Sequence, residues 1–188
     1  MVRWEPDSRG RLAQAAMALY AERGFDDTTV AQTAQRAGLT ERTFFRHFAD
    51  KREVLFAGAD ELVACFVSAI ESAPPTATPI DAVACSLEAA AAVFAPRREG
   101  SKRRQAVIAA NPELQERELI KLARLAHAMA DALRRRGVKD PAATLSAEAG
   151  VTVFRVGFEE WVRPATTTEL SQLFCAALSE LKAVTAGR

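Results

Sequence analysis

Arg42 and Arg46 stand four residues apart. A guanidinium can make paired hydrogen bonds to the guanine edge exposed in a DNA major groove. Four residues is about one helical turn, so on a helix both groups leave the same side. Phe44 and Phe48 repeat the same spacing and point roughly opposite, toward a core. Thr43 and His47 flank one side of the arginine face and Phe45 flanks the other. The chemistry predicted for this face is polar, cation-led contact with a nucleic acid.

The elements that must hold this face are legible around it. The stretch 28–51 reads TTVAQTAQRAGLTERTFFRHFADK. Val30, Ala34 and Ala37 have helical spacing from about Thr29 to Ala37. Gly38 supplies the left-handed residue at which a helix can end and turn. Thr40 is placed to cap a second helix through about Phe48. Two short helices around a glycine turn make a helix-turn-helix, whose second helix can enter the major groove.

Before it, Asp7 to Arg23 forms a helix with Leu12, Ala16, Leu19 and Tyr20 inward, ended by Gly24 with Phe25 packing back. After it, Asp50 and Glu53 make a capping-box start for a strut helix over about 50–71. Ala73-Pro74-Pro75-Thr76-Ala77 is the clearest linker. Thr78-Pro79 opens a helix that runs to Phe94 and stops at Pro96, and a basic patch, Arg97 to Arg104, leads into a short helix ending near Ala110. Asn111-Pro112, Asp140-Pro141 and Thr168-Glu169 open the last three helices. No strand pattern or internal repeat is present. The fold class is all-α with about nine helices: an N-terminal three-helix helix-turn-helix domain over 1–50, and a larger helical domain over 51–188.

Charge alone does not announce the partner. The chain carries 25 Lys and Arg against 24 Asp and Glu, and residues 1–60 balance nine basic with nine acidic side chains. Within 36–52, however, Arg36, Arg42, Arg46, Lys51 and Arg52 oppose only Glu41 and Asp50. DNA affinity must therefore come from focused contacts, not from a broad basic surface.

Other chemistries find little support. A G-x-S-x-G elbow, a phosphate-cradling glycine loop and Glu-x-x-His pairs are all missing, and the histidines are two, His47 and His127. The protein is expected not to be an enzyme and to need no cofactor. Cys65, Cys85 and Cys175 lie far apart, which gives no metal site and reads as buried thiols. No apolar run approaches the roughly 20 residues that span a bilayer, and MVRWEPDSRG lacks the apolar core of a signal peptide. A cytoplasmic protein with no membrane partner is expected.

LYAERGFDDTTV at 19–30 and AGLTERTFFRHFADKREVLF at 37–56 give the chain a resemblance: over roughly residues 8–56 it resembles the TetR family of transcriptional regulators. The rest resembles that family in helical layout and size. The resemblance implies a homodimer that binds a palindromic double-stranded DNA operator, most often as a repressor, and a small-molecule effector that releases it from DNA. By position, Thr29 and Lys51 would meet phosphates, and Thr40, Arg42, Thr43, Phe45, Arg46 and His47 would contact bases and backbone. Two residues depart from the family pattern. Phe45 stands where Tyr is usual and lacks the hydroxyl for a phosphate, and Glu41 stands where a small or basic residue is common.

For the larger domain, Gly150 and Gly157 share a helix face on which a partner helix could approach closely. With Val153, Phe154, Leu170, Phe174, Ala177 and Leu181 they form the expected dimer interface. The expected effector pocket is apolar, lined by Phe66, Phe94, Met129, Phe158 and Trp161, with Arg104, His127 or Arg155 to orient a ligand. The alternative is a DNA-binding dimer that answers a protein partner, or no effector. A filled core with an exposed apolar patch would favour that alternative.

Overall fold

The computed structural model describes residues 7–187. Residues 1–6, which make up much of the N-terminal stretch read above for a leader, and Arg188 lie outside the described residues. Every regular element among the described residues is helical. The α-helices are α1 (Ser8–Arg23), α2 (Val30–Arg36), α3 (Glu41–His47), α4 (Ala59–Ser72), α5 (Pro79–Phe94), α6 (Arg98–Ala109), α7 (Pro112–Arg135), α8 (Ala142–Trp161) and α9 (Leu170–Thr185).

They form two compact units. One holds the residues up to Gly58 together with Arg103–Glu116, and the other holds Ala59–Lys102 together with Arg117 onward. Helices α6 and α7 therefore each begin in one unit and end in the other. The first unit packs Leu12, Ala16, Tyr20, Phe25, Phe44 and Phe48 with Val54 and Leu55, and adds Val107, Ile108 and Leu114 from the returning segment. The second packs α4, α5, α7, α8 and α9 around Phe66, Ile70, Leu87, Met129, Leu133, Phe154, Trp161 and Phe174.

Several local expectations are met by their own chemistry. The Asp7 carboxylate accepts from Gly10 N at 2.8 Å and caps α1. Thr78 caps α5 with Pro79 at its first position. Gly24, Gly38 and Gly137 all take positive φ at helix ends.

Two boundaries differ. The strut does not run unbroken from Asp50. Asp50 does accept from Glu53 N at 2.9 Å, but the helix it opens is a short 3-10 turn, Glu53–Phe56, and α4 starts only at Ala59. Two carbonyls along this break are bonded by guanidinium groups: Leu55 O accepts from Arg104 Nε and Ala57 O from Arg9 Nη2, both at 2.6 Å. Gly58 adds the ordinary entropic cost of glycine in a helix, about 1 kcal/mol.

Nor does the chain stop at Pro96. Pro96 has no N–H to donate, so the helix tightens into a 3-10 turn, Ala95–Arg97, and continues directly as α6. The merged stretch Pro79–Ala109 has an 18-residue window of mean hydropathy 1.3, high enough by length and composition for a membrane span. Its Ala82, Val83, Leu87, Ala90 and Ala91 are nevertheless buried in the second unit, as in a core helix.

Candidate nucleic-acid interface

Helix α2 begins with a complete capping box. Thr29 Oγ1 accepts from Gln32 N at 3.2 Å while Gln32 Oε1 accepts from Thr29 N at 2.9 Å. The helix ends through Gly38 at φ 66°, with Gly38 N donating to Gln35 O and Leu39 N to Ala34 O. That pair of reversed bonds is the glycine-terminated helix end expected at this turn. Arg11 ties the turn to α1 by donating to Ala37 O at 2.6 Å. Helix α3 is then capped by Thr40, whose hydroxyl accepts from Thr43 N at 3.2 Å and also meets Thr43 Oγ1 at 3.0 Å.

The faces of α3 separate as predicted. Phe44 and Phe48 are buried, with ring centroids 5.4 Å apart. Burying each contributes about 2 kcal/mol, which anchors a helix too short to be stable alone. Glu41, Arg42, Phe45 and Arg46 are exposed. Arg42, Thr43, Phe45 and Arg46 line one open depression. Among the described residues, no hydrogen bond or ion pair engages the Arg42 or Arg46 guanidinium.

The neighbouring cations differ from those two. Arg36 makes a two-point pair with Glu22 at 2.6 and 3.0 Å, which holds the Glu22 carboxyl below its ordinary value. Arg52 faces Asp50 at 3.3 Å and Glu113 at 3.7 Å.

Lys51 has partners within its own chain. Its ammonium donates to Phe25 O at 2.8 Å, Asp26 O at 3.1 Å and Thr28 O at 3.2 Å, and lies 4.5 Å from the Phe25 ring centre. An ammonium has three N–H groups, and in this structure each has a backbone carbonyl to bond. Tyr20 Oη donates to Lys51 O at 2.6 Å, and burial pushes that phenol up with help from the Asp50 charge. Lys51 thus ties down the loop that delivers Thr29 to α2. His47 also turns inward: its Nε2 is buried with no partner among the described residues, so that atom is not available to a phosphate. Thr29 and Thr40 are exposed and their hydroxyls already accept cap bonds; the Thr29 hydroxyl keeps its proton to donate, while Thr40 and Thr43 share one hydroxyl–hydroxyl bond that uses the proton of one of them.

In the second unit the aromatic residues do come together. Phe154 lies 5.6 Å from Phe66, 6.0 Å from Phe94, 5.6 Å from Phe158 and 5.7 Å from Phe174, and Trp161 lies 5.7 Å from Phe158. Met129 is fully buried in the same core. The three polar candidates for that site do not join it. Arg104 belongs to the first unit, bonded to Leu55 O and 5.1 Å from the Phe56 ring. His127 is exposed, with Nδ1 2.8 Å from Ala123 O. Arg155 is exposed and pairs with Glu159 at 3.5 Å. The polar group that does reach the aromatic cluster is Arg98, which sequence reasoning missed. Its Nη2 donates to the Trp161 and Thr166 carbonyls, its guanidinium lies 5.5 Å from the Trp161 ring, and its Nε is buried without a partner among the described residues. Its position in a basic run gave no signal of this.

The glycine face of α8 is also an internal one. A Cβ on Gly150 would lie 2.5 Å from Val83 and 2.8 Å from Met129, and one on Gly157 would lie 2.6 Å from the Phe174 ring. Val153, Phe154, Leu170 and Phe174 are buried in the same core, while Ala177 and Leu181 are half-buried against it. These residues pack α8 onto α5, α7 and α9 of their own chain. Cys85 and Cys175 are exposed and Cys65 is half-buried, with burial raising the Cys65 thiol pKa. The expectation of three buried thiols is not met.

Two family profiles match this chain. One, described as bacterial regulatory proteins of the tetR family, covers residues 12–57. The other, described as the MftR C-terminal domain, covers 77–186, more than half of the chain. The chain belongs to the TetR family.

This TetR-family protein is 34% identical over 82 residues to the transcriptional regulator TcmR of Streptomyces glaucescens, a match covering 44% of this chain and 36% of that one. It thus spans about a third of the length of that curated relative. Its fold matches a TetR-family regulator from Syntrophomonas wolfei with a TM-score of 0.69 at 15% identity, covering 95% of this chain and 94% of the other. It also matches the regulator FadR of Bacillus subtilis, solved with stearoyl-CoA, with a TM-score of 0.65 at 18% identity, covering 92% and 96%. Membership places the chain among bacterial regulatory proteins, and the first profile covers its helix-turn-helix. Within that family pattern its departures are Phe45 and Glu41, and both are exposed on α3.

Proposed function

We propose that this TetR-family protein is a homodimeric repressor whose two α3 helices enter successive major grooves of a palindromic operator, released by a small molecule in its helical second unit. The observation that carries the DNA reading is that Arg42 and Arg46, exposed and unpaired among the described residues, stand on a helix whose opposite face is locked by buried Phe44 and Phe48. Thr29 and either Thr40 or Thr43 are the phosphate donors of this reading, and residues 1–50 its DNA-binding part. Residues 51–188 carry dimerisation and effector response. The protein acts in the cytoplasm, where its operator is.

Dimerisation belongs to the outward faces of α8 and α9. Leu145, Thr152 and Val156 share one exposed face of α8, and Cys175, Ala176 and Ser179 one exposed face of α9. The effector reading is supported by the likeness in fold to FadR, solved with stearoyl-CoA. A second reading, control by a protein partner, is favoured by Leu119 and Ile120, adjacent on α7 and 63% and 61% exposed.

Selection of binding sites from random DNA, with wild type and with Arg42→Ala and Arg46→Ala, tests the DNA reading. At least one variant should lose preference for a guanine, a discrimination of about 1–3 kcal/mol. Two variants that bind more weakly with the same sequence preference would make both arginines phosphate contacts. Any effector that favours the folded chain raises its unfolding temperature by linkage, so a thermal-shift screen of metabolites tests the release mechanism.

A further inference from the structure

Phe45 is the one large apolar side chain on the outward face of α3, and it is 55% exposed. It lies between Arg42 and Arg46 in sequence and lines the same depression. Its ring is not loose. It meets the buried Phe44 ring edge-on, with centroids 5.6 Å apart and planes at 81°, an arrangement aromatic pairs favour. The phenyl carries no group that could bond a phosphate oxygen, so that role is closed to it. In water the exposed ring is a standing cost. The major groove offers one apolar group that projects from base edges, the thymine C5-methyl.

We infer that Phe45 is a specificity-determining residue that reads a thymine methyl beside the bases met by Arg42 and Arg46. This rests on the proposal that α3 enters the major groove. It adds a requirement the arginines cannot impose, because a guanidinium tells guanine from other bases but does not sense a methyl group.

The test uses the full-length protein and the operator found by selection. Each thymine of a half-site is replaced in turn by deoxyuridine, which removes only the methyl group and keeps pairing intact. For wild type, one position should lose about three- to five-fold in affinity, the ratio expected for one methyl-sized apolar group. Phe45→Ala should bind the thymine and uracil operators equally at that position and keep its guanine preference. The exposed position leaves the fold intact, which circular dichroism checks. Two results overturn the inference: an equal loss in wild type and Phe45→Ala at every position, or a selected half-site without thymine. Failure of the underlying reading looks different, because Arg42→Ala and Arg46→Ala would then leave operator affinity unchanged.

Discussion

Replacing Lys51 with Met separates two roles that its position in the sequence confounds. Methionine keeps an aliphatic stem against Phe25 and removes the charged head, leaving three carbonyls without their donor. The Asp26 bond is exposed, so water replaces it. The bonds to Phe25 and Thr28 are partly buried and cost about 1–1.5 kcal/mol each, and the cation over the Phe25 ring adds about 0.5–1 kcal/mol. The sum is about 2.5–4 kcal/mol on opening of the 24–28 loop. At 1.4 kcal/mol per decade that raises the opening equilibrium about 60- to 700-fold. Hydrogen exchange followed by mass spectrometry over residues 24–37 should show that acceleration, while α8 and α9 stay protected. Affinity for operator should fall, but the slope of log affinity against log salt should not change. A phosphate contact would contribute about 0.9 to that slope. Unchanged exchange with a slope reduced by about 0.9 would refute the internal role and restore Lys51 as a phosphate ligand.

Three further outcomes can be measured directly. Gly157→Val should lower the unfolding temperature, because the new side chain meets the buried Phe174 ring and overpacking of this kind costs about 1–3 kcal/mol. It should not change the sedimentation of the folded protein. The adjacent but exposed Val156→Glu should leave the fold intact and give monomers. Monomers from the glycine variant with unaltered stability would return the close-packed face to the subunit interface. Glu22, with its carboxyl lowered first by the hydrogen bond from Arg36, should titrate by NMR below its ordinary value of 4.5, and rise in Arg36→Ala. Since the folded value is depressed, the contribution of this pair is fully present above pH 4.5 and fades as pH falls through the lowered value. It should add no pH dependence to DNA binding near neutrality.

What could be read from the sequence was local. Thr29, Gly38 and Thr40 act on backbone groups within five residues, so their spacing alone placed α2, the turn and α3. The Phe44 and Phe48 repeat separated the two faces of α3 for the same reason. Lys51 and Arg104 act across 23 to 49 positions, and a cation's type does not reveal whether carbonyls or phosphates will use it. Gly150 and Gly157 show the same limit. Their spacing correctly called for a close approach, but a partner helix from the same chain and one from a second subunit leave identical patterns. The helix that passes through Pro96 was missed because proline removes one donor without removing the packing on either side.

The family profile for the DNA-reading part ends at residue 57, yet the core beneath it is completed by Val107, Ile108 and Leu114. That has a consequence for how such regulators can be recombined. A chimera joined at residue 58 would inherit a first unit whose core is completed by a different parent, and mismatched side chains there would leave holes or clashes in that core. Transplanting operator preference into another scaffold therefore calls for a mosaic carrying residues 103–116 along with the first 58. The same geometry predicts that natural drift in the reading head is paired with drift in a stretch some fifty residues downstream.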